Sequence, residues 1–246
     1  MDRLLYTTAI GAANIERAQA VHANNLANVS TTGFQADFAL AQSRQIGGDG
    51  LPARIYGITE TPGTDFTPGA MQQTGRDLDV AVNGEGFLAV QLPGDNEAYT
   101  RAGDLQVDSI GRLLSSDGLP VLGDGGPIAL PPFEKIYVGS DGSITVQPEG
   151  QGPETQVQVG RLKLVRPEQG ELVKDESGLL RRRDGAQEPA APEVTVVSGF
   201  LESSNVSAVG ELTEILALAR QYEIEVRMMR TAEENDRAAS ELLRIG

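Results

Sequence analysis

The chain contains no cysteine, no tryptophan and one histidine. Without cysteine there can be no disulfide, no thiolate metal site and no cysteine nucleophile. His22 stands alone in an alanine-rich stretch, so the imidazole of a Ser-His-Asp triad is missing everywhere else. A zinc site there would have to complete its ligand set with carboxylates. Basic residues are also scarce: 20 Lys and Arg against 35 Asp and Glu give a net charge of −15. That balance argues against nucleic acid, whose phosphates need a basic face, and against charge-driven binding to an anionic bilayer. The one compact basic run, Arg181-Arg182-Arg183, reads as a solvated hairpin edge. No run reaches the roughly 18 apolar residues of a membrane span. Gly, Asn, Glu and Arg interrupt the opening MDRLLYTTAIGAANIERAQA, which lacks the apolar centre of a signal peptide. A route out of the cytoplasm is expected to use something other than a cleaved signal.

Several motifs that suggest chemistry dissolve on inspection. Gly84-Glu85-Gly86 joins two strands and opens no helix, so it cannot cradle a dinucleotide phosphate. Asp104, Asp108, Asp117 and Asp124 lie near turns, without the spacing of a calcium loop. Nothing singles out a catalytic pair among the 35 acids. No catalytic residue, cofactor or metal site is expected.

What the chain does have is segregation. All 13 prolines lie between Pro52 and Pro192, and 24 of the 29 glycines between Gly47 and Gly185. The two ends and the middle must be different kinds of structure. At 246 residues there is room for one large domain or two small ones.

The ends read as helices. Leu212, Ile215, Ala219, Tyr222, Val226 and Met229 step by three and four residues in strict alternation, with Leu216 beside them. That is the period of a helix seam. From Val206 to Arg244 such a helix would reach about 58 Å, longer than a small core needs, so burial against other molecules is expected. Residues 2 to 28 form the other helix. Tyr6, Ile10, Ala13, Ala20 and Ala27 share one phase, and seven alanines between Ala9 and Ala27 allow close approach of a partner. Gly33 is the expected left-handed stop, and Asn205 is the expected cap of the final helix, with Ser203, Ser204 or Ser207 as alternatives.

From Thr74 to Ser198 short strands alternate with turn dipeptides such as Asp117-Gly118, Asp141-Gly142 and Asp184-Gly185, the pattern of an antiparallel barrel or sandwich. Leu78, Val80 and Val82 followed by Asn83-Gly84-Glu85-Gly86 and Phe87–Val90 predict a hairpin. The expected fold is α+β. N- and C-terminal helices pair as an antiparallel, coiled-coil-like layer, and the central module is mainly antiparallel β. The expected divisions are residues 1–33 with 203–246 as a helical polymerisation domain, 34–73 as an extended loop or ribbon, and 74–202 as a β-rich outer module.

Five ordered segments then become recognisable. Ala23-Asn24-Asn25-Leu26-Ala27-Asn28-Val29-Ser30-Thr31-Thr32-Gly33-Phe34 resembles the N-terminal signature of the flagellar basal-body rod and hook family. Leu78–Phe87 resembles its first core hairpin, and Tyr99–Gly103 with Asp108 and Gly111–Leu113 its next segment. Gly199–Val206 resembles the approach to the final helix, and Ala219–Glu223 its middle. The opening Met1–Tyr6 and the stretch Glu234–Ala238 are most similar to proximal-rod members.

The resemblance implies a structural subunit without enzymatic activity, one that transmits torque within a helical tube across the periplasm. It would be exported through the flagellum's own type III apparatus, with other rod proteins, itself and the surrounding periplasmic ring as partners. A distal-rod or hook paralogue is the alternative, and a secreted cell-wall hydrolase a remote one. The motif adds Asn25, Leu26, Asn28, Gly33 and Phe34 to the two helical rows as candidate assembly residues.

Overall fold

The computed structural model describes residues 2–45, 55–94, 96–152, 155–175 and 177–245. The chain divides into two units: residues 1–29, 36–65 and 206–246 form one, and residues 30–35 and 66–205 the other.

The first unit is built on two helices, α1 (Asp2–Ala27) and α2 (Ala208–Ile245). They run antiparallel, as expected: Gly11 of α1 lies against the Glu225 carboxylate, while His22 and Asn25 meet Glu211 at the other end. Thr8 and Ala12 are buried on this side of α1, with Ile15 and His22 partly so. Small residues there let the helices approach closely. α1 ends where Asn28 donates its backbone N–H to the Asn24 and Asn25 carbonyls, well before Gly33. Gly33 is left-handed, at φ 64°, for a different reason. A Cβ there would lie 2.3 Å from the carbonyl carbon of Arg101. The cap of α2 is Ser207, whose Oγ accepts from the Gly210 N–H at 3.3 Å. Asn205 is engaged elsewhere, donating from Nδ2 to the Thr67 carbonyl at 2.9 Å.

The expected ribbon within 34–73 is an antiparallel pair of strands, Asp37–Gln45 and Ile55–Thr64, registered from Asp37↔Thr64 to Gln45↔Ile55 with a bulge at Phe38/Leu40. It belongs to the helical unit, and residues 66–73 belong to the β unit.

The β unit consists of small antiparallel sheets. Its five-stranded sheet runs Leu164–Val165, Phe87–Gln91, Glu97–Thr100, Leu180–Arg182, Leu172–Lys174. A three-stranded sheet holds Phe133–Val138, Ser143–Pro148 and Val157–Arg161. Strand Phe87–Gln91 is buried on both faces. Leu88 and Val90 join a core with Val80, Val82, Leu113, Ile144 and Leu162, while Phe87 and Ala89 join a second cluster with Tyr99, Val165 and Leu180. Alternation of side chains across the strand produces this two-sided burial.

Two expectations are corrected here. Val80–Asn83 pairs with Thr195–Ser198, and Phe87–Gln91 pairs with Glu97–Thr100, so Asn83–Gly86 turns a corner between sheets and closes no hairpin. Phe87–Gln91 forms its hairpin with the strand that follows it, and Val80–Asn83, buried at Val80, Ala81 and Val82, finds its partner more than a hundred residues away. The strand bearing Arg181 and Arg182 is a hairpin arm with Leu172–Lys174, and Arg181 and Arg183 are exposed as expected, but it is interior to its sheet and not an edge. Arg182 gathers Glu171, Asp184 and Glu188, and the hydrogen bonds to Asp184 and Glu188 hold its guanidinium firmly protonated.

Gly103 shows how tightly the unit is closed: a Cβ there would lie 1.6 Å from the Val80 carbonyl oxygen, and Val80 donates its N–H to Gly103 O at 2.9 Å. The clash is with backbone and cannot be relieved by a rotamer. Gly103→Ala should therefore destabilise the β unit by about 2–3 kcal/mol. Urea unfolding followed by circular dichroism measures this, and an unchanged midpoint would contradict the close packing.

Candidate assembly interface

The sequence places its candidate residues on two helical rows and one connecting motif, and the structure treats the three differently. On α1, Tyr6, Ala13, Ala20 and Ala27 are exposed, with Tyr6 at 60%, and Ile10 is half-buried. Thr8, Ala12, Ile15, His22 and Asn25 repeat on the opposite side of the same helix. α1 therefore has two distinct faces, one packed and one exposed. One packs on α2, and the row picked out by periodicity is the other.

On α2 the row is split. Ile215, Ala219, Tyr222, Val226 and Met229 are half-buried, whereas Leu212 and Leu216 are exposed at 51% and 56%. Leu212 and Leu216, with the exposed Val209, leave an uncovered apolar patch on the N-terminal third of the helix.

The motif residues act inside the units. Asn25 is 1% exposed. Its Oδ1 accepts from the Asp37 N–H at 2.9 Å, and its Nδ2 donates to the Asp37 carbonyl at 2.7 Å. One side-chain amide thus mimics a strand partner and pins the start of the ribbon to α1. Nδ2 also reaches Glu211 Oε1 at 3.2 Å, and His22 Nδ1 lies 2.5 Å from the other oxygen of that carboxylate. Asn28 donates from Nδ2 back to the Asn24 carbonyl at 2.9 Å. Leu26 and Asn28 are half-buried.

Gly33 and Phe34 lie in the β unit, at its most constrained point. The Gly33 N–H donates to the Glu202 carbonyl at 2.8 Å, the Asn205 N–H to Phe34 O at 3.3 Å, and the Ser203 N–H to Ala70 O at 2.8 Å. Lys174 donates to the Gln35 carbonyl at 2.7 Å and sits 3.9 Å from the centre of the Phe34 ring. Three chain segments thus lie side by side: 33–35, 69–73 and 200–205.

Beneath them is the residue pair that sequence reasoning missed. Arg101 and Glu202 are each 2% exposed, with Arg101 Nε donating to Glu202 Oε2 at 2.8 Å. Glu202 Oε1 accepts from the Gly69 N–H at 2.9 Å. Arg101 Nη2 donates to the Gly84 carbonyl at 2.5 Å, and its guanidinium lies 5.7 Å from the Phe87 ring centre. Both residues stand inside the recognised segments Tyr99–Gly103 and Gly199–Val206, so that conjunction was the available signal. Burial raises the Glu202 carboxyl above its ordinary range, against the opposing pull of Arg101 and the Gly69 N–H.

The family model for the flagella basal body rod protein matches residues 5–35. That for the flagellar hook protein FlgE/F/G D1 domain matches 81–146, and that for the flagellar basal body rod FlgEFG protein C-terminal region matches 197–242. The chain is 39% identical to the flagellar basal-body rod protein FlgF of Salmonella typhimurium, covering 99% of each. It is 34% identical to FlgF of Caulobacter vibrioides over 99% of this chain and 98% of that one. The chain belongs to the flagellar basal-body rod family. Within it the likeness to these two FlgF proteins exceeds that to FlgG of Bacillus subtilis, at 31% over 95% of this chain and 96% of that one. The first and last family matches cover most of both helices, with Gly33, Phe34 and the strand Phe200–Glu202, so two of the three segments that meet at Glu202 lie within them.

The buried pair yields a test whose sign is fixed by linkage. A carboxyl whose folded pKa is raised binds its proton more tightly folded than unfolded, so protonation favours the fold as pH drops from the raised value toward the ordinary range. Arg101→Met removes the counter-charge and should cost about 3–5 kcal/mol at neutral pH. Part of that loss should return on acidification to about pH 5, because neutral Glu202 no longer needs a cation. Urea melts at the two pH values measure this. A loss as large at low pH as at neutral pH would contradict it.

Proposed function

We infer that this chain is a structural subunit of the flagellar basal-body rod, of the FlgF-like, proximal-rod kind. The observation that carries the mechanism is the two-faced α1, whose own fold covers one side and leaves the row Tyr6, Ala13, Ala20 and Ala27 open. A row of small residues with a tyrosine at one end invites close helix packing, and the uncovered Val209, Leu212 and Leu216 of α2 offer a second apolar surface.

Two different surfaces on one molecule make heterologous contacts. Repeated contacts of that kind which do not close into a ring give a helical polymer. The paired helices would form the polymerising layer, together with the half-buried Ile10, Ile215, Ala219, Tyr222, Val226 and Met229 at its flanks. The β unit would form the outer part, and the ribbon of 37–45 and 55–64 would travel with the helices. In this reading the subunit adds to neighbouring rod proteins and to copies of itself. It reaches its site across the periplasm through the flagellar export apparatus, and its work is mechanical. Asn25 acts as an internal staple, while Gly33 and Phe34 fix the chain path on which the outer surfaces depend.

Ala13→Asp and Leu216→Asp test the reading, because each places a charge on a face that the folded chain leaves open. As surface changes they should shift the stability of the purified chain by no more than about 0.5 kcal/mol. In the polymer the charge would be buried unpaired, at several kcal/mol per site. Motility and electron microscopy of isolated basal bodies should show loss of the rod beyond this subunit. Normal motility with either variant would remove the assignment of these faces.

A further inference from the structure

α2 carries another row that the rod reading does not use. Arg220, Glu223, Arg227, Arg230, Glu234, Arg237 and Glu241 succeed one another at alternating steps of three and four residues, and all seven are exposed. Among the described residues, none of the ion pairs includes any of them. In the β unit, by contrast, Arg112, Lys163, Arg166, Arg181 and Arg182 are each matched with acids. Unmatched arginines are conspicuous in a chain with a net charge of −15. At the centre of the row lies a groove of about 330 Å³. Tyr222 and Val226 form its apolar floor, and Glu223, Arg227 and Arg230 its charged rim.

The order of the charges decides what fits. Laid antiparallel upon itself about Arg230, the row sets Arg220 against Glu241, Glu223 against Arg237 and Arg227 against Glu234, each pair occurring twice by symmetry. Only Arg230 meets its own copy. Laid parallel and in register, every residue meets its like. A solvated helix can also space Arg and Glu by three and four residues, but that requires neither mirrored signs about one position nor a groove beside it.

We propose that the free chain associates with a second copy through this face, as an antiparallel, two-fold symmetric pair of α2 helices centred on Arg230. The contact is isologous, each face serving as its own complement. The arginine stems of one copy cover the Tyr222 and Val226 floor of the other, and the guanidinium groups reach the facing carboxylates. This pairing goes beyond the rod reading and does not depend on it. In a head-to-tail polymer every α2 points the same way, so an antiparallel pair has no place in the rod. It belongs to chains not yet incorporated, whose Tyr222 and Val226 it covers until they are.

The absence of native cysteine makes the test clean. Full-length Arg230→Cys removes the single like-charged meeting and places two thiols at the symmetry axis, whereas Glu214→Cys lies on the other side of the helix. Under mild oxidation Arg230→Cys should form the disulfide-linked dimer about tenfold faster or more than Glu214→Cys. Sedimentation should show a dimer of the unmodified chain that weakens as salt rises from about 0.05 to about 0.5 M. Arg227→Glu should raise its dissociation constant about tenfold, and adding Glu234→Arg in the same chain should restore it. Equal cross-linking rates, a chain that stays monomeric at every concentration, or a double variant no better than the single one would each overturn the proposal.

Discussion

Arg101 and Glu202 are as inaccessible to water as the leucines around them, and the β unit is arranged to satisfy both. A buried ion pair of this kind adds little net stability, because desolvation offsets most of the attraction. Removing either partner, however, would strand a charge in the core. The Glu202 carboxylate takes Arg101 on one oxygen and the Gly69 N–H on the other. Its own carbonyl receives Gly33, and the next residue donates to Ala70. Three segments distant in sequence are thereby fixed to within a hydrogen bond of one another. The glycines at these points are the geometric counterpart: a Cβ at Gly33 would strike Arg101, and one at Gly69 would lie 1.9 Å from the Ser203 carbonyl oxygen.

That constraint matters because the chain passes between its two units four times, after residues 29, 35, 65 and 205. Each β-unit segment leading to such a passage is hydrogen-bonded to another. A subunit that carries mechanical load needs its connecting segments to resist separation, and parallel hydrogen-bonded segments share a load that a single linker would bear alone. In the helical unit Asn25 has the corresponding task. With one amide it binds the first residue of the ribbon twice and touches Glu211 of α2 once, so helix, ribbon and helix meet at a single side chain.

How much of this was legible in the sequence follows from which forces are periodic. The helices were, because burial on one face leaves a repeat of three and four. α1 and α2 lie within a few residues of where that repeat and the helix breakers put them, and their antiparallel pairing agrees with it. The open row of α1 was legible for the same reason. Its buried row was not, since Thr8, Gly11, Ala12 and His22 are small or polar and carry no hydrophobic signal. In the β unit, strand positions could be read from turn dipeptides, but partners could not. Val80–Asn83 and Phe87–Gln91 look like the arms of a hairpin locally, yet the partner of Val80–Asn83 lies more than a hundred residues away. Arg101 and Glu202 read as ordinary charges because nothing local marks a residue for burial with a partner a hundred positions away.

The same logic separates what α2 does along its length. Toward α1 it presents half-buried apolar residues at seam spacing. Its N-terminal third adds uncovered Val209, Leu212 and Leu216, and from Arg220 onward the outward side turns to charges of both signs. An apolar surface is indifferent to the direction of its partner, because burial of area has no polarity along the helix. A charged row is not indifferent: its order of signs accepts one orientation and repels the other. A helix bearing both can hold a partner by the first and choose its direction by the second. In a polymer whose subunits must all point one way, direction has to be specified somewhere. By its order of signs, the charged row of α2 would disfavour two identical α2 rows lying side by side, parallel and in register. On the proposed reading, the parallel contacts of the rod would then fall to the apolar faces, where α1 and α2 differ and shape can set the register.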